Sequence, residues 1–149
     1  MKKTNQQMLD LAGALCFLLA TFHAVIGFSP ALSFYFGAPE ALVQNKYALI
    51  GVCFLVSLIL GIFGLYALSG AGRIPALPRL NQVLIFISGI FILRGLIGIP
   101  EFLVVMGVIE TSIPIAPRFV FFSMVSLLVG GFFITGVISK KQWFEKKGL

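Results

Sequence analysis

The sequence predicts an all-α integral membrane protein, a single four-helix bundle with both termini in the cytoplasm. Apolar residues make up 59% of its 149 residues and charged residues only 11%, which is far from the composition of a soluble domain. The chain also contains four long stretches that are almost free of charge, and three of them reach the roughly 20 residues needed to cross a bilayer core. A chain of this length has room for one such bundle, so we predict a single domain over residues 1–149.

The four predicted helices follow these apolar stretches. Glycine, proline and serine residues concentrate between the first and second stretches and between the second and third, where they favour turns. We place the transmembrane helices at about 8–28, 46–69, 80–99 and 118–139.

The end of the third helix is open to two interpretations. The residues after Pro100 are apolar again, so the helix can continue through a kink at this proline to about Val108. Alternatively the helix ends near Pro100. In that case residues 102–116 form a short amphipathic or re-entrant segment that leads into the fourth helix.

Lysine and arginine residues are distributed unevenly between the connecting segments. Four crossings place eight of them on one side of the membrane and two on the other, with Arg94 inside the third helix. Basic residues are enriched on the cytoplasmic side, so both termini are predicted to lie there. The net charge of +6 then sets the topology and meets anionic lipid headgroups, and it does not indicate a nucleic acid partner. The eight residues are Lys2, Lys3, Arg73, Arg79, Lys140, Lys141, Lys146 and Lys147, and the two are Lys46 and Arg118.

Both cysteines, Cys16 and Cys53, lie inside predicted helices. The chain has no CxxC motif and no cluster of cysteine and histidine, so neither a redox dithiol nor a metal site is indicated. We interpret both cysteines as buried thiols that pack as small apolar side chains.

Small residues at helical spacing predict which faces of the helices pack together, because they let helix backbones approach closely. On this basis a leucine at Gly61 or at Ala20 is predicted to destabilise the bundle. The small residues form one stripe in each of three helices: Ala12, Cys16, Ala20, His23 and Gly27 in the first, Ser57, Gly61 and Gly64 in the second, and Ser123, Ser126 and Gly130 in the fourth.

Polar residues inside the spans define the candidate site. From the helical rise, His23 and Arg94 each lie about 21–22 Å from the cytoplasmic end of their helix, in the outer half of the bilayer. Ser123, counted inward from the external end of its helix, falls close to the same level. Glu101 follows Arg94 by seven residues, so it lies on the same helical face two turns further out.

Two interpretations of these polar residues remain open. In the structural one, Arg94 is neutralised by Glu101 and backbone carbonyls, and His23 is a hydrogen-bonded core histidine. In the functional one, these residues belong to a polar cavity open to the external side, because ionisable groups inside a membrane often mark functional sites. The candidate ligand-binding residues are His23, Arg94, Glu101, Ser123 and Arg118, with Lys46 at the rim of the cavity.

The chemistry available to such a cavity is limited. A single histidine makes neither a zinc site nor a bis-imidazole haem site within one chain, and no inward carboxylate orients its ring for a catalytic triad. No span carries the midplane carboxylate of a proton-coupled exporter. The remaining chemistry is binding, with Arg94 as a fixed positive charge for a phosphate, carboxylate or quinone oxygen and His23 as donor or proton partner.

The layout of the chain resembles the DoxX-like group of small bacterial membrane proteins. The shared features are four spans, a histidine among small residues in the first span, the Gly/Pro break at 36–39, and a single arginine, Arg94, well inside the third span. The resemblance implies a multi-pass four-helix bundle in the cell inner membrane. It also implies a group with members linked to quinone-dependent oxidation of sulfur compounds.

Three classes of function follow from this sequence. The first is a protein without catalysis of its own that binds a lipid, a quinone or a partner subunit, which includes a second copy in a homo-oligomer. The second is a quinone-linked membrane oxidoreductase component, and the third is a small oligomeric transporter. No catalytic residue and no resident cofactor is evident, with quinone the one candidate cofactor, so the sequence favours the first class.

Overall fold

The computed structural model describes the backbone of residues 3–109 and 117–146 and the side chains of residues 6–109 and 117–138. This part of the chain is almost entirely α-helical and contains no β-strand, which confirms the predicted all-α class. Its helices are α1 (Lys3–Ile26), α2 (Pro30–Tyr35), α3 (Glu40–Val43), α4 (Lys46–Ala71), α5 (Leu80–Leu96), α6 (Gly98–Val105) and α7 (Pro117–Lys146).

Within the described residues, four helical segments are long and apolar enough to cross a membrane: Gln6–Ile26, Lys46–Ala71, Leu80–Val105 and Pro117–Ile138. Each overlaps the predicted transmembrane helix at that position, and the chain is compatible with a membrane four-helix bundle. The orientation of the spans stays a prediction. Lys2, Lys3 and the basic residues after position 138 lie outside the described side chains.

The third span is a helix with a break, and it corresponds to the first of the two alternatives above. Pro100 has no backbone N–H, and its ring clashes with the carbonyl four residues earlier, which is where α5 ends. Helical hydrogen bonding continues across the break, since the Glu101 N–H donates to the Ile97 carbonyl at 3.3 Å. The segment ends at Val105 and not at about Val108, because Gly107 turns the chain with a φ of 74°.

The chain divides into two compact units. The unit formed by residues Gly13–Leu65 contains the second half of α1, the short helices α2 and α3, and most of α4. Its core is built on Ile26, Leu49 and Cys53. The hydroxyl of Ser33 donates to the carbonyl of Ile26 at 2.7 Å, and this hydrogen bond links α2 to the end of α1.

The other unit joins Met1–Ala12 to Tyr66–Leu149. Its main contact is between α5 and α7. The Ser88 hydroxyl donates to the carbonyl of Gly130 at 3.0 Å, and the rings of Phe91 and Phe133 stack with their centroids 6.1 Å apart. A Cβ atom at Gly130 would lie 2.8 Å from Cγ1 of Ile92, so only glycine permits this approach of the two helices.

The same unit contains an exposed ion pair between α1 and the connection after α4. The Arg73 guanidinium donates through Nη2 to Asp10 Oδ2 at 2.6 Å and through Nε to Asp10 Oδ1 at 3.0 Å. The hydrogen bond to Asp10 raises the pKa of Arg73. Because Arg73 is exposed to solvent, the pair contributes little to the free energy of folding.

The small-residue stripe of α1 is confirmed as a packing face. Ala12, Cys16 and Ala20 are buried, and a Cβ atom at Gly27 would lie 2.7 Å from the Cβ atom of Cys53. Both cysteines are buried free thiols, as predicted.

The packing contact predicted at Gly61 in α4 is not found among the described residues. No atom lies within 4 Å of a Cβ atom built at this position, and Gly61 lines an open apolar groove of about 470 Å³ between α1 and α4. The ring of Phe17 packs against Gly64 instead, and a Cβ atom at Gly64 would lie 2.9 Å from this ring. Phe17 therefore packs at Gly64 and not at Gly61, and the effect of a leucine at Gly61 on stability stays a prediction.

Candidate functional site

Three of the predicted site residues form one hydrogen-bonded network. Arg94 donates through Nη1 to the hydroxyl oxygen of Ser123 at 2.7 Å, and the Ser123 hydroxyl donates to Oε2 of Glu101 at 2.6 Å. Arg94 Nη1 lies 3.6 Å from Glu101 Oε1, so the two charges form an ion pair with the serine as bridge. The predicted neutralisation of Arg94 by Glu101 is confirmed, with Ser123 as an additional partner.

The backbone brings these three residues together across the break in the third span. Arg94 lies in the last turn of α5, Glu101 in the first turn of α6, and Ser123 in the second turn of α7. The close approach needs Gly98, since a Cβ atom there would lie 2.5 Å from the Cβ atom of Ser123. The glycine therefore lets the serine reach between the two charged side chains.

The Arg94 side chain is only partly buried, although the same face of α5 is buried nearer the start of the helix. Ile87 precedes Arg94 by seven residues on the same face and is fully buried. The Arg94 side chain is 41% exposed and that of Glu101 13% exposed, so this face opens toward the α6 end of the span. Among the described residues, only Nη1 of the guanidinium makes polar contacts, which leaves Nε and Nη2 available as donors.

His23 belongs to the other unit. Its Nδ1 lies 2.9 Å from the carbonyl oxygen of Leu19, and its ring meets the ring of Phe22 edge-on with the centroids 5.7 Å apart. The ring is therefore hydrogen-bonded, as in the structural interpretation, but His23 is only half-buried. The membrane level that His23 was predicted to share with Arg94 stays a prediction.

Arg118 lies at the start of α7 with its guanidinium carbon 5.3 Å from the centroid of the Phe119 ring, a cation–π contact. A role for Arg118 or Lys46 at the rim of a binding site stays a prediction.

An apolar groove of about 250 Å³ beside Ser123 was missed by the sequence reasoning. It lies between the third span and α7, while Arg94 and Glu101 are not among its lining residues. Its lining residues are Gly95, Gly98, Ile99, Phe102, Val120, Ser123, Met124 and Leu127.

The fold and the site together define a small all-α protein whose four long apolar helices are compatible with a membrane bundle, with an arginine, a serine and a glutamate in contact between the third and fourth of them. No protein-family model matches the chain, and no curated protein or solved structure matches it.

Proposed function

We propose that this protein binds a membrane amphiphile, a lipid or a quinone, at Arg94 without catalysis of its own. The proposal rests on the contacts and the exposure of the Arg94 guanidinium. Among the described residues, Ser123 and Glu101 contact Arg94 through one nitrogen, Nη1, and 41% of the Arg94 side chain stays exposed. A cation inside a membrane span is costly, so an exposed one is suited to a ligand that completes its hydrogen bonds.

Arginine is well suited to this role. Its planar group offers a fork of donors to a phosphate or carboxylate, and such charge-assisted hydrogen bonds are about twice as strong as neutral ones. Because Ser123 fixes the position of the guanidinium, less conformational freedom is lost when a ligand binds.

The geometry of Ser123 supports a role in binding over catalysis. Its hydroxyl proton points to Glu101, its oxygen accepts from Arg94, and the residue is fully buried. A serine nucleophile needs an oxygen that a substrate carbon can reach. In this arrangement the serine positions the two charges.

We propose an inner-membrane location with both termini in the cytoplasm, and membership of the DoxX-like group. The exposed apolar face of α4, which includes Phe54, Leu55 and Leu58, supports contact with lipid or with a partner subunit, including a second copy of this chain.

The topology predicts which positions react with a membrane-impermeant thiol reagent in intact cells. Cysteine at Glu40, in the connection between the first two spans, is expected to be labelled, while cysteine at Ala76, in the connection between the second and third, is protected until the cells are opened. Both residues are exposed, and the native Cys16 and Cys53 are buried. Labelling of Ala76→Cys in intact cells would reverse the orientation.

Binding at Arg94 predicts that a lipid or quinone copurifies with the protein and depends on this residue. In the double variant Arg94→Leu with Glu101→Leu, no charge is left unpaired, so the fold is retained while the bound amphiphile is lost. Mass spectrometry of extracts from purified protein measures the loss. The matched control, Asp10→Leu with Arg73→Leu, removes the exposed ion pair and is expected to keep the molecule. Equal amounts in the wild type and the Arg94 double variant would refute the proposed function.

A further inference from the structure

Resting on the proposed function, we propose that the head group bound at Arg94 is an anion and that Glu101 sets its affinity as an internal competitor. Phosphate and carboxylate groups share the chemistry required, whereas the carbonyl oxygens of a quinone are neutral.

Glu101 lies close to Arg94 without satisfying it. The carboxylate accepts a hydrogen bond from Ser123 at 2.6 Å, but its nearest approach to the guanidinium is 3.6 Å, beyond the range of a hydrogen bond. The serine therefore takes the place that a direct arginine–carboxylate hydrogen bond would occupy. An incoming anion that contacts Nε and Nη2 gains the hydrogen bonds that Glu101 does not make.

Charge balance explains why the competitor is present. Without a ligand, the opposite charges of Arg94 and Glu101 cancel, which lowers the cost of holding both in a membrane span. With an anion bound, Glu101 becomes a like charge close to the ligand and lowers its affinity. Removing that charge is expected to tighten anion binding by about tenfold or more, because charges a few ångströms apart in a partly buried site interact by over 1 kcal/mol.

The test measures binding of three probes to the full chain in phosphatidylcholine nanodiscs. Phosphatidylglycerol carries the anion on a lipid, inorganic phosphate carries it free in solution, and decylubiquinone is a neutral quinone. We expect the wild-type protein to bind phosphatidylglycerol more tightly than decylubiquinone. Inorganic phosphate that binds as tightly as phosphatidylglycerol would support an anion at Arg94 and overturn the proposal that the ligand is a membrane amphiphile.

Two variants separate the inference from the function on which it rests. Glu101→Gln keeps an acceptor for Ser123 and removes the charge, so phosphatidylglycerol is expected to bind about tenfold tighter or more. The double variant Arg94→Leu with Glu101→Leu is expected to lose the preference for the anion. Unchanged or weaker binding by Glu101→Gln would overturn the role of Glu101 while leaving binding at Arg94 in place.

Two other results would count against the anionic head group or against the proposed function. A wild-type preference for decylubiquinone that the double variant abolishes would overturn the anionic head group and leave the proposed function intact. If no probe distinguishes the wild type from the double variant, the proposed function itself fails. If Glu101→Gln does not fold, the comparison of probes on the wild-type protein still tests the anionic head group, and Glu101→Ala, which also removes the charge, tests the role of Glu101.

Discussion

Replacing Gly95 with leucine is expected to separate α5 from α7 and to abolish stable folding of the unit that they form. A Cβ atom at Gly95 would contact the side chain of Leu127 and would lie 2.9 Å from the backbone nitrogen of that residue. Backbone cannot move aside as a flexible side chain can. We therefore expect a loss of about 3 kcal/mol or more in the free energy of unfolding, at the upper end of overpacking effects. Thermal unfolding in detergent, followed by circular dichroism, measures the change.

Gly89 provides the matched control on the same helix. A Cβ atom there has no neighbour within 4 Å, so Gly89→Leu changes the same residue type in α5 without a clash. This variant is expected to unfold at or slightly above the wild-type temperature, since leucine favours helix more than glycine does. Equal unfolding temperatures for Gly95→Leu and Gly89→Leu would show that α5 and α7 do not pack as described.

Replacing Arg94 with leucine is expected to be the most disruptive single change in the polar network. It leaves the Glu101 carboxylate, whose side chain is only 13% exposed, with Ser123 as its sole described partner. An unpaired charge at such a site costs about 1–3 kcal/mol or more. Glu101→Leu is expected to cost less, because the Arg94 side chain is 41% exposed and can extend toward the interface.

The double variant Arg94→Leu with Glu101→Leu tests whether the two charges act as a pair. Removing both is expected to recover most of the stability lost in Arg94→Leu, since no uncompensated charge remains. Unfolding temperatures of the wild type, both single variants and the double variant complete the thermodynamic cycle. Additive losses in the cycle would show that Arg94 and Glu101 do not interact, against the ion pair described here.

Hydropathy and local backbone chemistry determined the secondary structure of this chain. Runs of apolar residues long enough to cross a bilayer predicted four helices, because a membrane span must satisfy its backbone hydrogen bonds internally. Pro100 predicted the interruption of the third span, since a missing N–H and a steric clash act on residues next to it in the chain. The pairing of Arg94 with Glu101 was also local, because a spacing of seven residues places both on one face of a helix.

Contacts between helices decided what the sequence left open. Gly61 and Gly64 are both small residues of one stripe in α4, but only Gly64 receives the ring of Phe17. Helical spacing identifies a face without showing which side chain packs against it. Ser123 lies 22 residues beyond Glu101, and its place between the two charges depends on the close approach of α7 to Gly98. That approach is set by the packing of whole helices, so the bridge by Ser123 emerges only in the tertiary structure.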